Sequence, residues 1–252
     1  MSFRVRALPT PMRHVSGAFE RARMKHFVKK LLGPAIVNRW RMRGQRQDRS
    51  IETIFTDYYS TNFWGDADSR SGPGSSDGET VRAREILPGL MRELKVQSFL
   101  DVPCGDFHWM AQVDLGEVAY FGGDIVAEMI SDNADCYGGP HRTFFQCDLT
   151  RDRLMRADLV LCRDCLFHLS FPDARAAIAN IAASGSTYLL TTTHPNTTEN
   201  RPVMTGGYRP LNLSRPPFDF PEPMRLIYER ENAEFGDTDK ALGLWSIADL
   251  TA

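Results

Sequence analysis

The sequence predicts an α/β fold, an open, mostly parallel sheet with helices on both faces. Two observations carry this reading. From residue 96 onward, short apolar runs alternate with stretches of helical length, the order that winds a parallel sheet. Each run also ends in polar or ionisable residues, and the carboxyl ends of strands are where an open sheet presents ligand-binding groups. Composition agrees. A chain of 252 residues with 42% hydrophobic and 25% charged residues is ordinary globular material, enough for one full domain and an appendage. No run approaches the roughly 18 apolar residues of a membrane-spanning helix. The start lacks the compact apolar stretch of a secretory signal. Five cysteines, an odd number, argue against a disulfide framework and for a reducing, cytoplasmic setting.

Charge divides the chain. Residues 1–50 hold 13 Lys or Arg against Glu20 and Asp48, a net +11, so the remainder carries −13. Within this arm, Phe19, Ala22, Phe27, Val28, Leu31 and Leu32 recur at near-helical spacing among Arg and Lys. Gly33-Pro34 interrupts the pattern. The expectation is a basic helical arm over 1–50. Such an arm packs on the body, contacts an anionic membrane surface as a peripheral element, serves as a targeting segment, or meets nucleic acid or an acidic partner. The acidic body is a poor nucleic-acid surface.

The body, 51–252, opens with a helix over 51–59. Arg70-Ser-Gly-Pro-Gly-Ser-Ser-Asp-Gly78 is too rich in Gly, Ser and Pro for a regular element. A helix is expected from about Thr80 to Leu94, broken at Pro88. Strands follow at 98–102, 118–121, 143–145, 158–162 and 187–191. Helices are expected at about 106–112, 126–136 and 172–183. Residues 195–223 read as a long, partly ordered excursion. Segments 224–230 and 242–247 supply two late strands, for seven in all.

The strand ends carry the chemistry. They hold Asp101-Val-Pro-Cys-Gly-Asp106, Gly122-Gly-Asp-Ile125, Cys147-Asp148, Arg163-Asp-Cys-Leu-Phe-His168 and Thr191-Thr-Thr-His-Pro195. Asp124 follows Asp101 by 23 residues, the placement of a carboxylate that accepts both hydroxyls of a ribose. Asp148, 24 residues further, is placed to accept from an adenine amino group. Gly105 permits close backbone approach. A full G-x-G-x-x-G is absent, because Pro103 and Cys104 occupy the turn. That counts against a pyrophosphate ligand, which needs a glycine-lined helix N-terminus, and leaves room for a nucleoside such as S-adenosylmethionine (SAM).

The body resembles the class I SAM-dependent methyltransferases. The resemblance rests on Phe99-Leu-Asp-Val-Pro-Cys-Gly-Asp106, Tyr120-Phe-Gly-Gly-Asp-Ile125, Phe145-Gln-Cys-Asp-Leu149 and Ala157-Asp-Leu-Val-Leu-Cys162, in order and at suitable spacing. It implies a Rossmann-like sheet with an antiparallel last strand, and SAM as cofactor. Asp101 would then meet the SAM ammonium and Asp124 its ribose. Pro103, Cys104, Gly105, Asp106, Ile125, Asp148 and Leu149 would line the cofactor site. Asn62-Phe-Trp-Gly65, Arg70 to Ser76, Cys104 to Met110 and Arg163 to His168 resemble a subgroup that O-methylates glycans or other small polar acceptors. By that resemblance Arg70, Ser71 and Gly72 belong to a lid rather than a linker.

Asp164 and His168 are four apart. If the chain turns helically after the fourth strand they share one face, and a carboxylate beside an imidazole fixes its tautomer and raises its basicity. His168 is thus the candidate general base for a hydroxyl acceptor, with His194 a second candidate. Arg163 would orient the acceptor or the cofactor carboxylate. Asp106 and His108 either contact the methionine tail or cap a helix. The lone Cys162/Cys165 pair lacks the four ligands of a structural zinc site, and no residue set points to a metal. Two other classes fit the pattern less well. One is an NAD-dependent oxidoreductase or epimerase on a related sheet. The other is a non-catalytic nucleoside-binding module that engages a partner through the arm.

Overall fold

The computed structural model describes residues 49–229 and 240–250. The basic helical arm expected over 1–50 lies outside the described residues except for Arg49 and Ser50. The described body holds helices α1 (Ile51–Ser60), α2 (Asp77–Glu93), α3 (Ala127–Tyr137) and α4 (Phe171–Ala183). Its strands are β1 (Ser98–Asp101), β2 (Ala119–Asp124), β3 (Arg142–Gln146), β4 (Leu159–Cys162), β5 (Tyr188–Thr193), β6 (Arg225–Tyr228) and β7 (Ala241–Ser246).

The strands form one seven-stranded sheet in the order β3-β2-β1-β4-β5-β7-β6. The first five pair in parallel, and β7 runs antiparallel to both β5 and β6. The order reverses between β1 and β4, so the crevice for a ligand opens where these strands end. The central strands are apolar on both faces, as a doubly covered sheet requires. Phe99, Leu159 and Leu161 face one cluster with α2, while Leu100, Val160 and Leu189 face another with α4. Ser50 and Ser170 cap α1 and α4 through their hydroxyls, relieving amide groups that a helix start leaves unpaired.

Three local expectations are corrected. Helix α2 runs through Pro88 without a break. A proline inside a helix costs about 3 kcal/mol, but Leu87, Leu90 and Met91 are almost fully buried along this helix. Each contributes about 1.5–3 kcal/mol on burial, so packing wins. The helix expected over 106–112 is instead a turn followed by a short 3-10 segment, Met110–Gln112. Phe107 sits at φ 57°, which carries its side chain to full burial against Tyr120, Tyr137 and Phe144. Residues 195–223 contain no helix or strand, yet they are packed rather than partly ordered. Leu211 and Leu213 are fully buried, and the Asn200 side chain donates to the carbonyls of Asn212, Arg215 and Pro216.

Candidate functional site

Two carboxylates end adjacent strands at the topological switch. Asp101, closing β1, is 2% exposed, and its Oδ2 accepts from the Tyr120 hydroxyl at 2.8 Å. Burial pushes its carboxyl up to about 7, against the opposing pull of Tyr120 and Arg163. Asp124, closing β2, is 5% exposed. Its two oxygens accept the amides of Gly105 and Val126, each at 3.1 Å. Burial still outweighs those amides and raises it to about 6. In both acids burial outweighs the groups that favour the charged form.

The turn from Pro103 to Asp106 lies between them. Cys104 is buried and its amide donates to the Gly123 carbonyl at 2.9 Å. Gly105 takes φ 60°, a left-handed conformation that glycine adopts at little cost. A β-carbon there would press into the Ser71 hydroxyl. The Gly105 carbonyl accepts from Asn133 Nδ2 of α3 at 2.8 Å, which holds the turn from the other side.

The glycine- and serine-rich segment closes on this turn and is no free linker. Ser69 Oγ and the Arg70 amide donate to Asp106, each at 2.8 Å to Oδ2. The Asp106 amide donates back to Ser71 Oγ at 2.9 Å. Gly72 takes φ 106° with Trp64 packed against it. Gly74 abuts the Asp164 carboxylate, so closely that a β-carbon would collide with Oδ2. The Arg70 guanidinium lies 5.3 Å from the Tyr59 ring centre. His108 pairs with Asp77 at 3.0 Å, at the start of α2. The segment therefore spans from the β1 turn to the end of β4.

At that end stands a four-charge network. Arg163 Nε reaches Glu229 Oε1 at 2.7 Å, and its Nη1 lies 3.3 Å from Asp164 Oδ2. Lys240 Nζ reaches both Asp164 oxygens, at 2.8 and 2.6 Å, and Glu229 Oε2 at 3.2 Å. The Thr192 hydroxyl donates to Asp164 Oδ1 at 3.1 Å. The guanidinium and ammonium neighbours hold the Asp164 carboxyl well below its ordinary range despite burial. Arg163, 5.1 Å from the Trp109 ring centre, keeps Nη2 without a hydrogen-bond partner among the described residues.

The expected Asp164–His168 pair is not formed. Asp164 sits at φ 52°, which breaks the helical continuity that would have stacked the two side chains. Asp164 turns to Lys240, whereas His168 Nδ1 lies 2.6 Å from the Gly207 carbonyl. A carbonyl only accepts, so Nδ1 carries the proton and Nε2 keeps its lone pair. The imidazole is framed by Trp64, Phe167 and Tyr208, with ring centres 4.8, 4.4 and 5.9 Å away. Burial lowers it to about 4, so it is uncharged at neutral pH.

The remaining candidates make the following contacts within the chain. His194 is fully buried, and its Nδ1 accepts from the Leu211 amide at 3.1 Å. That bond ties it to the 195–223 excursion. Asp148 is 7% exposed, with Oδ1 taken by the Thr150 amide and hydroxyl and Oδ2 by Arg151 at 2.9 Å. Its carboxylate is thus committed locally, a weaker fit to an adenine than its spacing suggests. Leu149 lies in the core, and Ile125 is half-buried at its margin. Among the described residues no group of His, Cys, Asp or Glu could hold a metal ion. All five cysteines are free thiols.

Sequence reasoning missed Glu229, Lys240, Thr192 and Arg209. Glu229 follows β6 and Lys240 precedes β7, two late strands whose register the strand pattern left open, and Thr192 lies near the end of β5. A β6–β7 pairing of Tyr228 with Ala241 would have brought Glu229 and Lys240 together.

No protein-family model matches the chain, and no curated protein matches it in sequence. Solved structures do. The chain is similar to magnesium protoporphyrin IX methyltransferase from Synechocystis PCC 6803 with bound SAM, at 16% identity and a TM-score of 0.55, over 80% of this chain and 99% of that one. It is also similar to human N-acetylserotonin methyltransferase in complex with SAM, at 13% identity and a TM-score of 0.53, over 78% of this chain and 59% of that one. The sheet order, the lone antiparallel β7 and these likenesses agree: the chain has the fold of the class I SAM-dependent methyltransferases.

Proposed function

We propose that the chain is a SAM-dependent methyltransferase acting on a hydroxyl of a sugar, a glycan or another small polar acceptor. The observation that carries this reading is the pair of buried acids, Asp101 and Asp124, on either side of the Gly105 turn. Asp124 is suited to two ribose hydroxyls and Asp101 to the ammonium of the methionine tail. The unused Nη2 of Arg163 is suited to the tail carboxylate. Pro103, Cys104, Gly105 and Asp106 form the turn beneath the ligand, Ile125 and Leu149 flank the base, and Arg70, Ser71 and Gly72 close over it. Asp148 stays in the site as an outer member.

The cofactor supplies a methyl group already bonded to a good leaving group, a sulfonium. The chain's residues must then align the acceptor, exclude water and take one proton. Alignment alone can account for several kcal/mol of barrier. His168 is the proposed base, because Nδ1–H is spent on Gly207 and Nε2 is left to accept. Burial makes it a weak base. A weak base suffices if the proton leaves late, when the bonded acceptor oxygen has become strongly acidic. Trp64 and Tyr208 offer ring faces beside His168, which suit the C–H face of a sugar. Asp164 acts by positioning, through Lys240 and the Gly74 turn. The basic arm, 1–50, would hold the enzyme near an anionic surface where such acceptors reside.

Transfer of radiolabel from SAM to a panel of sugars and simple phenols tests the reading. Labelled ether products, lost in His168→Asn, support it. Label found only on nitrogen acceptors would replace the hydroxyl assignment, and binding of NAD in place of SAM would move the chain to the oxidoreductase class.

A further inference from the structure

Arg209 is a buried cation without a counter-ion. It is 5% exposed, and among the described residues it makes no ion pair. Its Nη1 donates to the Leu169 carbonyl at 2.6 Å, and its guanidinium lies 4.7 Å from the Phe171 ring centre. Among the described residues its other two nitrogens, Nε and Nη2, are buried and have no hydrogen-bond partner. Burial, with no opposing charge, lowers it only to about 10, so it remains protonated at neutral pH.

The identity of the two spare nitrogens matters. Nε–H and Nη2–H point the same way along one edge of the planar guanidinium. That edge is the two-toothed face that receives a carboxylate or a phosphate. Nη1 and the Phe171 ring fix the plane, so the edge is pre-oriented. A buried charge left unpaired is costly, and packing against the single ring of Phe171 does not require one. Asp173, two residues beyond Phe171, forms no ion pair with Arg209, and its Oδ2 accepts from the Ser170 and Thr205 hydroxyls.

Position ties this edge to the candidate base. The Arg209 amide donates to the Phe167 carbonyl, Gly207 holds His168 Nδ1, and the Gly206 amide donates to the His168 carbonyl. The chain 206–209 therefore runs alongside 167–169, and the Arg209 charge is felt by the His168 imidazole.

We infer that Arg209 is an oxyanion-recognising residue of the acceptor site, and that the acceptor carries a carboxylate or a phosphate close to the methylated hydroxyl. The inference rests on the methyltransferase reading above. It narrows the acceptor to an acidic sugar, such as a uronic acid, or to a sugar phosphate.

The test uses the full chain saturated with S-adenosylhomocysteine (SAH), and glucose, glucuronate and glucose 6-phosphate as probes at constant ionic strength. Two variants are compared with the parent, Arg209→Lys, which keeps the charge but not the fork, and Arg209→Gln. In the parent, one of the charged probes should bind at least about tenfold more tightly than glucose, as two charge-assisted hydrogen bonds imply. That preference should vanish in both variants while SAH affinity stays unchanged. Preference for glucuronate assigns a carboxylate, and preference for glucose 6-phosphate assigns a phosphate. A structural role predicts a lower melting temperature for Arg209→Gln with probe binding unchanged. Equal binding of all three probes by the parent, or an anion preference that survives in Arg209→Lys, overturns the inference. Failure of the parent to bind SAH would instead overturn the methyltransferase reading, independently of the probe result.

Discussion

Lys240 Nζ lies 2.8 and 2.6 Å from the two carboxylate oxygens of Asp164, across 76 residues of sequence. The contact ties the end of β4 to the start of β7, and the Gly74 turn rests on it. Replacing Lys240 by Met leaves Asp164 and Glu229 buried with Arg163 alone. Breaking a buried pair in this way costs about 3–5 kcal/mol. Denaturant unfolding at pH 7 should show a loss of that size. The Asp164 carboxyl is held below its ordinary value, so its contribution is present above the unfolded pKa of about 3.9. It is lost as pH falls through the lower folded value. The gap between parent and variant should therefore narrow on acidification below about pH 4.

Asp101 gives a second, opposite dependence. Its carboxyl is raised to about 7 in the free protein, so part of the population is protonated below neutrality. Receiving an ammonium requires the ionised form. SAH binding at pH 6 should release a proton, visible as a buffer-dependent heat in calorimetry, and affinity should rise with pH up to about 7 and then level. Asp101→Asn should bind more weakly and show neither effect. A parent with no buffer dependence would remove Asp101 from the ammonium site.

His168 stays uncharged down to about 4. At saturating SAM the pH profile of kcat should therefore show no fall near 6.5, the ordinary imidazole value. His168→Asn should lower kcat by about 10² to 10⁴, the usual contribution of a general base, with SAH affinity unchanged. A loss of SAH affinity equal to the loss of rate would make His168 a cofactor contact.

Gly74 offers a test of the closing segment. A β-carbon at this position collides with Asp164 Oδ2, so Gly74→Ala must push the 73–75 turn off the charge network. The turn is surface chain, and a melting temperature within a few degrees of the parent is expected, about 1 kcal/mol at most. KM for SAM should rise. An unchanged KM would mean that the segment does not close over the cofactor.

Much of this architecture was legible in the sequence, because its main signals are local. Apolar runs at residues 98–102 and 158–162 and the aspartates that end strands β1 and β2 need no long-range information. Asp164 and His168 both follow β4 beside the switch point, but the pairing that their spacing suggests does not form. A left-handed backbone at Asp164 and a lysine 76 residues away decided it, and neither leaves a mark in a four-residue spacing. Phe107 was lost the same way, since tertiary burial under Tyr120 and Phe144 overrode a helical pattern. Asp148 shows the limit of spacing arguments. Its position suited an adenine, yet Thr150 and Arg151 engage its oxygens. Arg209 carries no motif at all, and only its burial and its missing counter-ion reveal it.

The most direct test of the account is a calorimetric titration of the full chain with SAM, SAH and NAD, alongside Asp124→Ala. The account predicts micromolar binding of SAM and SAH, no binding of NAD, and a loss of about tenfold or more in the variant, which removes two charge-assisted hydrogen bonds to the ribose. Binding of NAD alone, or SAM affinity unchanged in Asp124→Ala, would contradict it.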